Sequence, residues 1–186
     1  MSLVRIHSDG KARCSWLTDD PEYIAYHDNE WGRRATGQRD LFEAISLEGF
    51  QAGLSWLTIL KRRENFRSAF KNFELEKVAA FTQSDVDTLM QDPGIIRNRA
   101  KILSVIHNAQ LILDKGLDLK QELWQFAPQD QPGTSDFQWK ATSTESDLLS
   151  KHLKSLGFKF VGSTTMYALM QSTGMIRDHA PDCQWR

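Results

Sequence analysis

The chain has 186 residues and a formal net charge of −1, so its length predicts one domain with a real core and its overall charge does not indicate a nucleic-acid partner. Its longest apolar runs are too short to span a bilayer, which argues against a membrane protein. The start, MSLVRIHSDGKAR, lacks the apolar core of a signal peptide, and there are only two cysteines. We therefore expect a cytoplasmic protein.

Hydrophobic periodicity predicts helices along most of the chain and no convincing strand, which is an all-α pattern. Residues 40–70 have apolar side chains at helical spacing, with a break expected at Gly49 and Gly53. Thr82 is predicted to cap the next helix, because an acidic residue follows it by three positions. That helix should end at residues 92–94, where a proline and a glycine interrupt the pattern.

The second half of the chain shows the same alternation of helices and connections. A long amphipathic helix is expected at about residues 97–115. Residues 127–142 contain two prolines and many polar side chains and are predicted to form the one long loop. Ser143 or Thr144 then caps another helix, and a last buried helix should end at Gly174.

Each of the two cysteines has a histidine at a spacing found among metal ligands. Cys14 is followed by His27, and His179 precedes Cys183 by four positions, which on a helical turn projects both side chains from one face. Two thiolates and two imidazoles fill a tetrahedral zinc shell, so the four residues would form a closed site joining the ends of the chain. The alternative is two free buried thiols and two unrelated histidines. The remaining histidines are interpreted as ordinary surface or helix residues: His7, His107 and His152.

The segment PGIIRNR, at residues 93–99, connects two predicted helices. Such a connection is typical of a helix-hairpin-helix, in which backbone amides and the next helix N-terminus hold a DNA phosphate, but Pro-Gly is also a common connector. Two basic clusters have either of two interpretations, DNA contacts or solvated helix faces: Lys61, Arg62, Arg63 and Arg67, and Arg97, Arg99 and Lys101.

Two long segments are the most specific strings of the sequence, CSWLTDDPEYIAYHDNEWG at residues 14–32 and LFEAISLEGFQAGLSWLTILKRRENFRSAF at residues 41–70. At these residues the chain strongly resembles the bacterial 3-methyladenine DNA glycosylase I family. The resemblance continues through DPGIIRNRAKI, LKSLGFKFVG and DHAPDC. It implies a helical, helix-hairpin-helix DNA glycosylase-like fold, with an N-terminal extension at 1–12, one glycosylase domain at 13–186 and the hairpin at about 82–115.

The resemblance also implies an activity and a cofactor. The family's structural zinc ligands fall on Cys14, His27, His179 and Cys183. The implied reaction is hydrolysis of the N-glycosidic bond of 3-methyladenine in alkylated DNA, the first step of base excision repair. Asn98 stands where many strand-cutting relatives place a nucleophilic lysine, so we expect a monofunctional enzyme without lyase activity.

A pocket for the damaged base is predicted from the aromatic residues. The nucleoside of adenine methylated at N3 is positively charged, so electron-rich rings facing a carboxylate would prefer it over neutral adenine. The family pattern places the base-contacting acid at Glu48, which is therefore the catalytic candidate. For a single tryptophan, core packing is the alternative. The candidate base-binding residues are Tyr26 and Trp56 as stacking faces, with Tyr23, Trp16 and Trp31 around them.

The expected partner is alkylated double-stranded DNA with a flipped 3-methyladenine, bound by a monomer. Residues 49–54 are a candidate wedge for the gap in the base stack, and a flexible helix junction is the alternative. Phe50 departs from the polar residue expected there in close relatives. The candidate DNA-binding residues are Gly53, Leu54, Gly94, Ile95, Arg97, Asn98 and Arg99.

Two other functional classes remain open at this point. A zinc-stapled damage-binding module would bind alkylated duplex and release no base. A zinc hydrolase would need an open coordination position, whereas four protein ligands fill the shell.

Overall fold

The computed structural model describes residues 2–131, 133, 135 and 137–186. This part of the chain is mostly helical, as expected, and none of its helices is long and apolar enough to cross a membrane. A short 3-10 helix occupies Lys71–Phe73. The α-helices are α1 (Pro21–Asn29), α2 (Gln38–Gln51), α3 (Trp56–Leu60), α4 (Arg63–Ala69), α5 (Leu75–Ala79), α6 (Gln83–Leu89), α7 (Arg99–Lys115), α8 (Leu119–Trp124), α9 (Thr144–Leu156) and α10 (Ser163–Ser172).

The two predicted N-caps are confirmed. Thr82 and Asp85 form a reciprocal capping box at the start of α6, and Ser143 forms the same arrangement with Ser146 at α9. Helix α7 begins two residues later than predicted, because the Asn98 side chain accepts a backbone N–H and acts as its N-cap. Local side-chain chemistry thus sets these helix starts.

Helix α2 is the central element of the core and packs against α7, α8 and α10. The predicted break at Gly49 is wrong, since α2 continues to Gln51. Gly49 lies against Phe160, and an added Cβ would stand 3.4 Å from the Phe160 Cβ, which is a van der Waals contact. The chain does leave the helix before Gly53, which has a φ of 82°.

The expectation of no strand is also wrong, because the N-terminal segment forms a short hairpin. Strands β1 (Val4–Ile6) and β2 (Ala12–Cys14) pair antiparallel, with Val4 opposite Cys14. Three-residue strands are too short to show a period of two in the sequence. The expected domain boundary after residue 12 therefore falls inside β2, which belongs to both the hairpin and the metal-ligand region.

A second hydrophobic cluster lies beside the main core and brings the two ends of the chain together. Its buried members come from β2, α1, α3, the 127–142 loop and the C-terminal segment: Cys14, Tyr26, Trp31, Leu60, Phe137, Ala180 and Cys183. Residues that the sequence separates by more than 150 positions are neighbours here. This cluster positions both candidate sites.

Candidate base pocket and metal site

Three of the four predicted metal ligands meet in the second cluster. The ligand atoms of Cys14, His27 and Cys183 all lie within 4.8 Å of one another, and all three residues are buried. Cys14 ends β2, where its Sγ accepts the Ala180 N–H at 3.3 Å. His27 is in the last turn of α1, and its Nδ1 lies 2.8 Å from Asp28 Oδ1. This contact leaves His27 Nε2 facing the Cys183 Sγ, 3.6 Å away.

The fourth predicted ligand, His179, lies beside this group. Its ring packs edge-on against the ring of His27, with centroids 4.8 Å apart. Its Nε2 is buried and has no hydrogen-bond partner among the described residues. The predicted helical turn is wrong, because residues 177–186 form bends and turns and Pro181 separates the two ligands. The buried imidazole nitrogen of His179 has no partner among the described residues and lies beside the ring of His27, while the group whose ligand atoms lie within 4.8 Å of one another is Cys14, His27 and Cys183.

The two sulfurs also interact with each other. Their shared hydrogen bond lowers the pKa of Cys183 and raises that of Cys14. One sulfur is therefore a thiolate, the form that ligates metals. The donor set, its burial and its charge agree with the sequence prediction of a metal site.

A cavity of about 200 Å³ opens between α1, α2, α3 and α10. All six residues predicted to bind or act on the base line it: Trp16, Tyr23, Tyr26, Trp31, Glu48 and Trp56. Sequence analysis missed four other lining residues, namely Gln51, Trp139, Ala168 and Gln171. Trp139 is a half-buried aromatic residue in the polar 127–142 loop, and that contrast was the available signal.

The aromatic rings form a continuous wall around the cavity. Tyr26 and Trp56 lie 5.5 Å apart between ring centroids and are tilted by 43°. Trp16 contacts the rings of Tyr23 and Trp31, at 5.3 and 5.0 Å. The Trp56 Nε1 is buried and lacks a hydrogen-bond partner among the described residues. The wall thus consists largely of aromatic rings, and one of them, Trp56, has an unsatisfied N–H.

Glu48 places a carboxyl group in this wall. The residue is 3% exposed, and Ser172 Oγ donates a hydrogen bond to its Oε1 at 3.2 Å. Burial raises the pKa of Glu48 to about 8, and the Ser172 hydrogen bond opposes that shift only partly. A buried carboxyl without a cationic neighbour in its hydrogen-bond shell is suited to a ligand that brings positive charge.

The predicted wedge is shorter than expected. Phe50 is fully buried in α2 and packs on Phe66 and Phe70, with ring centroids 4.6 and 5.8 Å away, so it lies in the core and not in the wedge. Gly53 and Leu54 follow α2, and Leu54 is 37% exposed. The exposed part of the segment is residues 53–55.

The predicted DNA-contacting turn separates α6 from α7. Arg97, Asn98 and Arg99 are exposed, and Arg99 pairs with Asp87 at 3.0 Å. Ile95 does not fit a direct side-chain contact with DNA, because it is 3% exposed and packs in the main core. Its burial instead anchors the turn to the protein.

Both basic clusters carry less free charge than the sequence indicates. Lys101 is buried and is not part of a surface cluster. In the other cluster, close ion pairs neutralise three cations: Lys61–Asp20 at 2.5 Å, Arg63–Glu30 at 2.5 Å and Arg67–Glu43 at 2.7 Å. This pairing favours the interpretation as a solvated helix face.

The histidines outside the metal site differ in their environments. His7 is buried, contrary to the surface interpretation, with its Nδ1 3.0 Å from Asp19 Oδ1. His107 is exposed, and His152 Nε2 lies 2.6 Å from Glu122 Oε2. His7 directly follows β1 of the N-terminal β-hairpin, and the sequence predicted no strand there.

Known proteins resemble this chain over most of its length. The family model described as methyladenine glycosylase matches residues 16–186. DNA-3-methyladenine glycosylase 1 of Escherichia coli is 48% identical over 177 residues, covering 92% of this chain and 95% of that protein. A crystal structure of 3-methyladenine DNA glycosylase I superposes with a TM-score of 0.87 at 46% identity, covering 92% of this chain and 98% of the other. A structure showing 3-methyladenine recognition by 3-methyladenine DNA glycosylase I from Staphylococcus aureus has a TM-score of 0.84 at 36% identity, covering 92% and 95%.

Proposed function

This chain belongs to the methyladenine glycosylase family, and on that premise we propose that it hydrolyses the N-glycosidic bond of 3-methyladenine in alkylated DNA. The reaction is the first step of base excision repair. The observation that carries the proposal is the buried Glu48 carboxyl in an aromatic cavity that also contains Tyr26 and Trp56. Such a site attracts a cationic, planar base far more strongly than a neutral one.

The chemistry follows from the charge of the lesion. The glycosidic bond of a nucleoside methylated at N3 is already weak, because the base leaves as a neutral molecule. The positive charge of the bound nucleotide favours the ionised form of Glu48, which then stabilises that charge, while Tyr26 and Trp56 hold the base plane. The unsatisfied Trp56 N–H supplies a hydrogen-bond donor to an acceptor on the base edge. Water then completes the hydrolysis, and no covalent enzyme intermediate is required.

Two exposed segments would hold the duplex. The turn at residues 94–98 and the N-terminus of α7 would bind a phosphate through backbone N–H groups and Arg97. Leu54 would fill the gap in the base stack left by the flipped nucleotide. A helix-hairpin-helix at about 82–115 would make the phosphate contact, Leu54 lies in the same glycosylase domain, and a cytoplasmic monomer is sufficient for both contacts.

A structural zinc ion completes the proposal. Cys14, His27, His179 and Cys183 would hold it, because their donor types match a closed Cys2His2 shell and the His179 nitrogen needs a partner. Bound zinc would tie the N-terminal hairpin to the C-terminal segment. Trp31, whose ring centroid lies 4.5 Å from that of His179, would then be held in the pocket wall.

The proposal is tested by incubating the purified protein with methylated duplex DNA and separating the released bases by chromatography. Release of free 3-methyladenine from an uncut strand is the expected result, and Glu48→Gln is the matched control. Binding of methylated duplex without base release would instead identify a damage-binding module. Strand cleavage by the protein would contradict the monofunctional reaction.

A further inference from the structure

Lys101 connects the two segments that are proposed to contact DNA. Its Nζ donates hydrogen bonds to the backbone oxygens of Phe50, at 2.8 Å, and Ala52, at 2.6 Å. Its backbone N–H donates to Asn98 Oδ1 at 3.2 Å, at the start of α7. Lys101 therefore links the turn before α7 directly to the C-terminal end of α2, immediately before Gly53.

Burying this ammonium group costs desolvation energy, and its location at the end of α2 offsets part of that cost. Lys101 is only 7% exposed, and burial lowers its pKa. An apolar side chain would fill the same space without desolvating a charge. The last carbonyls of a helix lack partners and carry the negative end of the helix dipole, so a cation there is stabilised. Ala52, the C-cap of α2, has a φ of −48° and a ψ of 116°, and Lys101 satisfies its carbonyl, while Gly53 takes the positive φ that follows.

The segment that follows forms a tight turn, in which the Leu54 N–H donates to the Gln51 oxygen at 2.7 Å and Gln51 Nε2 donates to the Leu54 oxygen at 2.7 Å. Gly53 has a φ of 82°, and a Cβ added to it would meet no atom within 4 Å. Leu54 is among the exposed large hydrophobic residues. These bonds fix the shape of the turn, and the hydrogen bond from Lys101 to the Ala52 oxygen connects the turn to α7.

We propose that Lys101 is a positioning residue for base excision. It holds the loop at residues 52–54 at a fixed distance from the turn at residues 94–98, so that phosphate binding at the turn places Leu54 in the base stack without a further ordering cost. This inference rests on the proposed function. Lys101 would thereby couple binding of the DNA phosphate to flipping of the base.

The test compares Lys101→Met, which removes the charge, with Lys101→Arg, which retains it. Lys115→Met, at the exposed far end of α7, is the control. Three quantities are measured: kcat/KM for base release from methylated duplex, Kd for free 3-methyladenine from tryptophan fluorescence, and amide hydrogen exchange at residues 52–54. We expect Lys101→Met to lower kcat/KM at least about tenfold and to speed exchange about tenfold, with the Kd for the free base within about twofold of the unmodified protein. Lys101→Arg should restore kcat/KM to within about threefold.

A general structural role predicts a different pattern. Loss of free-base binding and excision in equal proportion, normal excision by Lys101→Met, or failure of Lys101→Arg to restore excision would each overturn the proposal. If Lys101→Met does not fold, Lys101→Gln is judged by the same measurements. If the unmodified protein releases no 3-methyladenine, the proposed function fails, and the coupling role fails with it; the exchange rates then decide separately whether Lys101 orders the loop.

Discussion

Tyr26 and His27 are consecutive residues of α1 that face different regions of the protein. The buried polar atoms of these two regions are arranged in opposite ways. Around His27, polar groups converge: two sulfurs approach the imidazole, and Asp28 binds both His27 and the buried Arg13. Around Tyr26 they stay apart, since Glu48 and the Trp56 N–H lie in the walls of an open cavity. Convergent polar groups stabilise a fold or hold an ion, whereas separated ones are available to a ligand.

The two regions also share a wall. Trp31 lines the base cavity, yet its ring lies 6.0 Å from that of His27 and 4.5 Å from that of His179. Trp16 likewise lines the cavity and contacts His27 at 5.5 Å. Disorder around His27 and His179 should therefore also disturb the wall of the base pocket.

The largest expected effect comes from breaking the metal region. Cys183→Ser removes a thiolate ligand, and we expect the free energy of unfolding to fall by on the order of 5 kcal/mol and the Tm by about 10 °C or more, measured by thermal unfolding. Excision should be lost together with folding, and chelation of the unmodified protein should reproduce the effect. Asp182→Asn, an exposed neighbour, is the control. A well-folded but inactive Cys183→Ser variant would indicate a catalytic metal instead.

The burial of Glu48 in the pocket should make the free energy of unfolding depend on pH. The pKa of Glu48 rises from 4.5 to about 8 on folding, so between these pH values the folded protein keeps a proton that the unfolded chain releases. The free energy of unfolding should therefore fall as pH rises through this interval, by on the order of 4 kcal/mol. The measurement is the difference in unfolding free energy between Glu48→Gln and the unmodified protein from pH 5 to 9. It should grow with pH in favour of Glu48→Gln, and parallel curves would contradict the burial argument.

The same substitution should have the opposite effect on activity. Glu48→Gln keeps the shape of the pocket but removes the carboxylate that forms when the cationic nucleotide binds, so kcat/KM for 3-methyladenine release should fall about 100-fold, or about 3 kcal/mol. Asp40→Asn, on the exposed first turn of the same helix, should leave excision unchanged. Unchanged kinetics in Glu48→Gln would remove Glu48 from the site.

Sequence reasoning succeeded where the determining residues are close in the chain or carried by a specific pattern. The caps at Thr82 and Ser143 are local, and the family pattern located Glu48 and its aromatic neighbours. It failed where long-range packing decides. Lys101 looks like part of a surface cluster until its hydrogen bonds to residues about fifty positions away are known.

Phe50 and Trp139 show two further errors of the sequence prediction. Phe50 was placed in the candidate wedge and lies in the core, whereas Trp139 was not predicted and lines the cavity. Phe50 lies within a segment whose neighbours face the site, but its own direction on α2 sends it into the core. Trp139 lies in a predicted loop without periodicity, and only folding brings it to the cavity. Side-chain direction and loop placement depend on tertiary contacts that a single sequence does not contain.

The smallest predicted effect concerns two tryptophan N–H groups. That of Trp56 is proposed to bind the base, and that of Trp124 stabilises the fold. The Trp56 N–H has no partner among the described residues, whereas the Trp124 N–H donates to the Ala35 oxygen at 2.9 Å. Trp56→Phe should lower kcat/KM by about tenfold and cost no hydrogen-bond energy in the free protein. Trp124→Phe should cost about 1 kcal/mol more in unfolding free energy than Trp56→Phe and leave excision unchanged. Both changes remove similar ring volume, so equal stability losses with equal activities would show that the free N–H in the pocket has no role in base recognition.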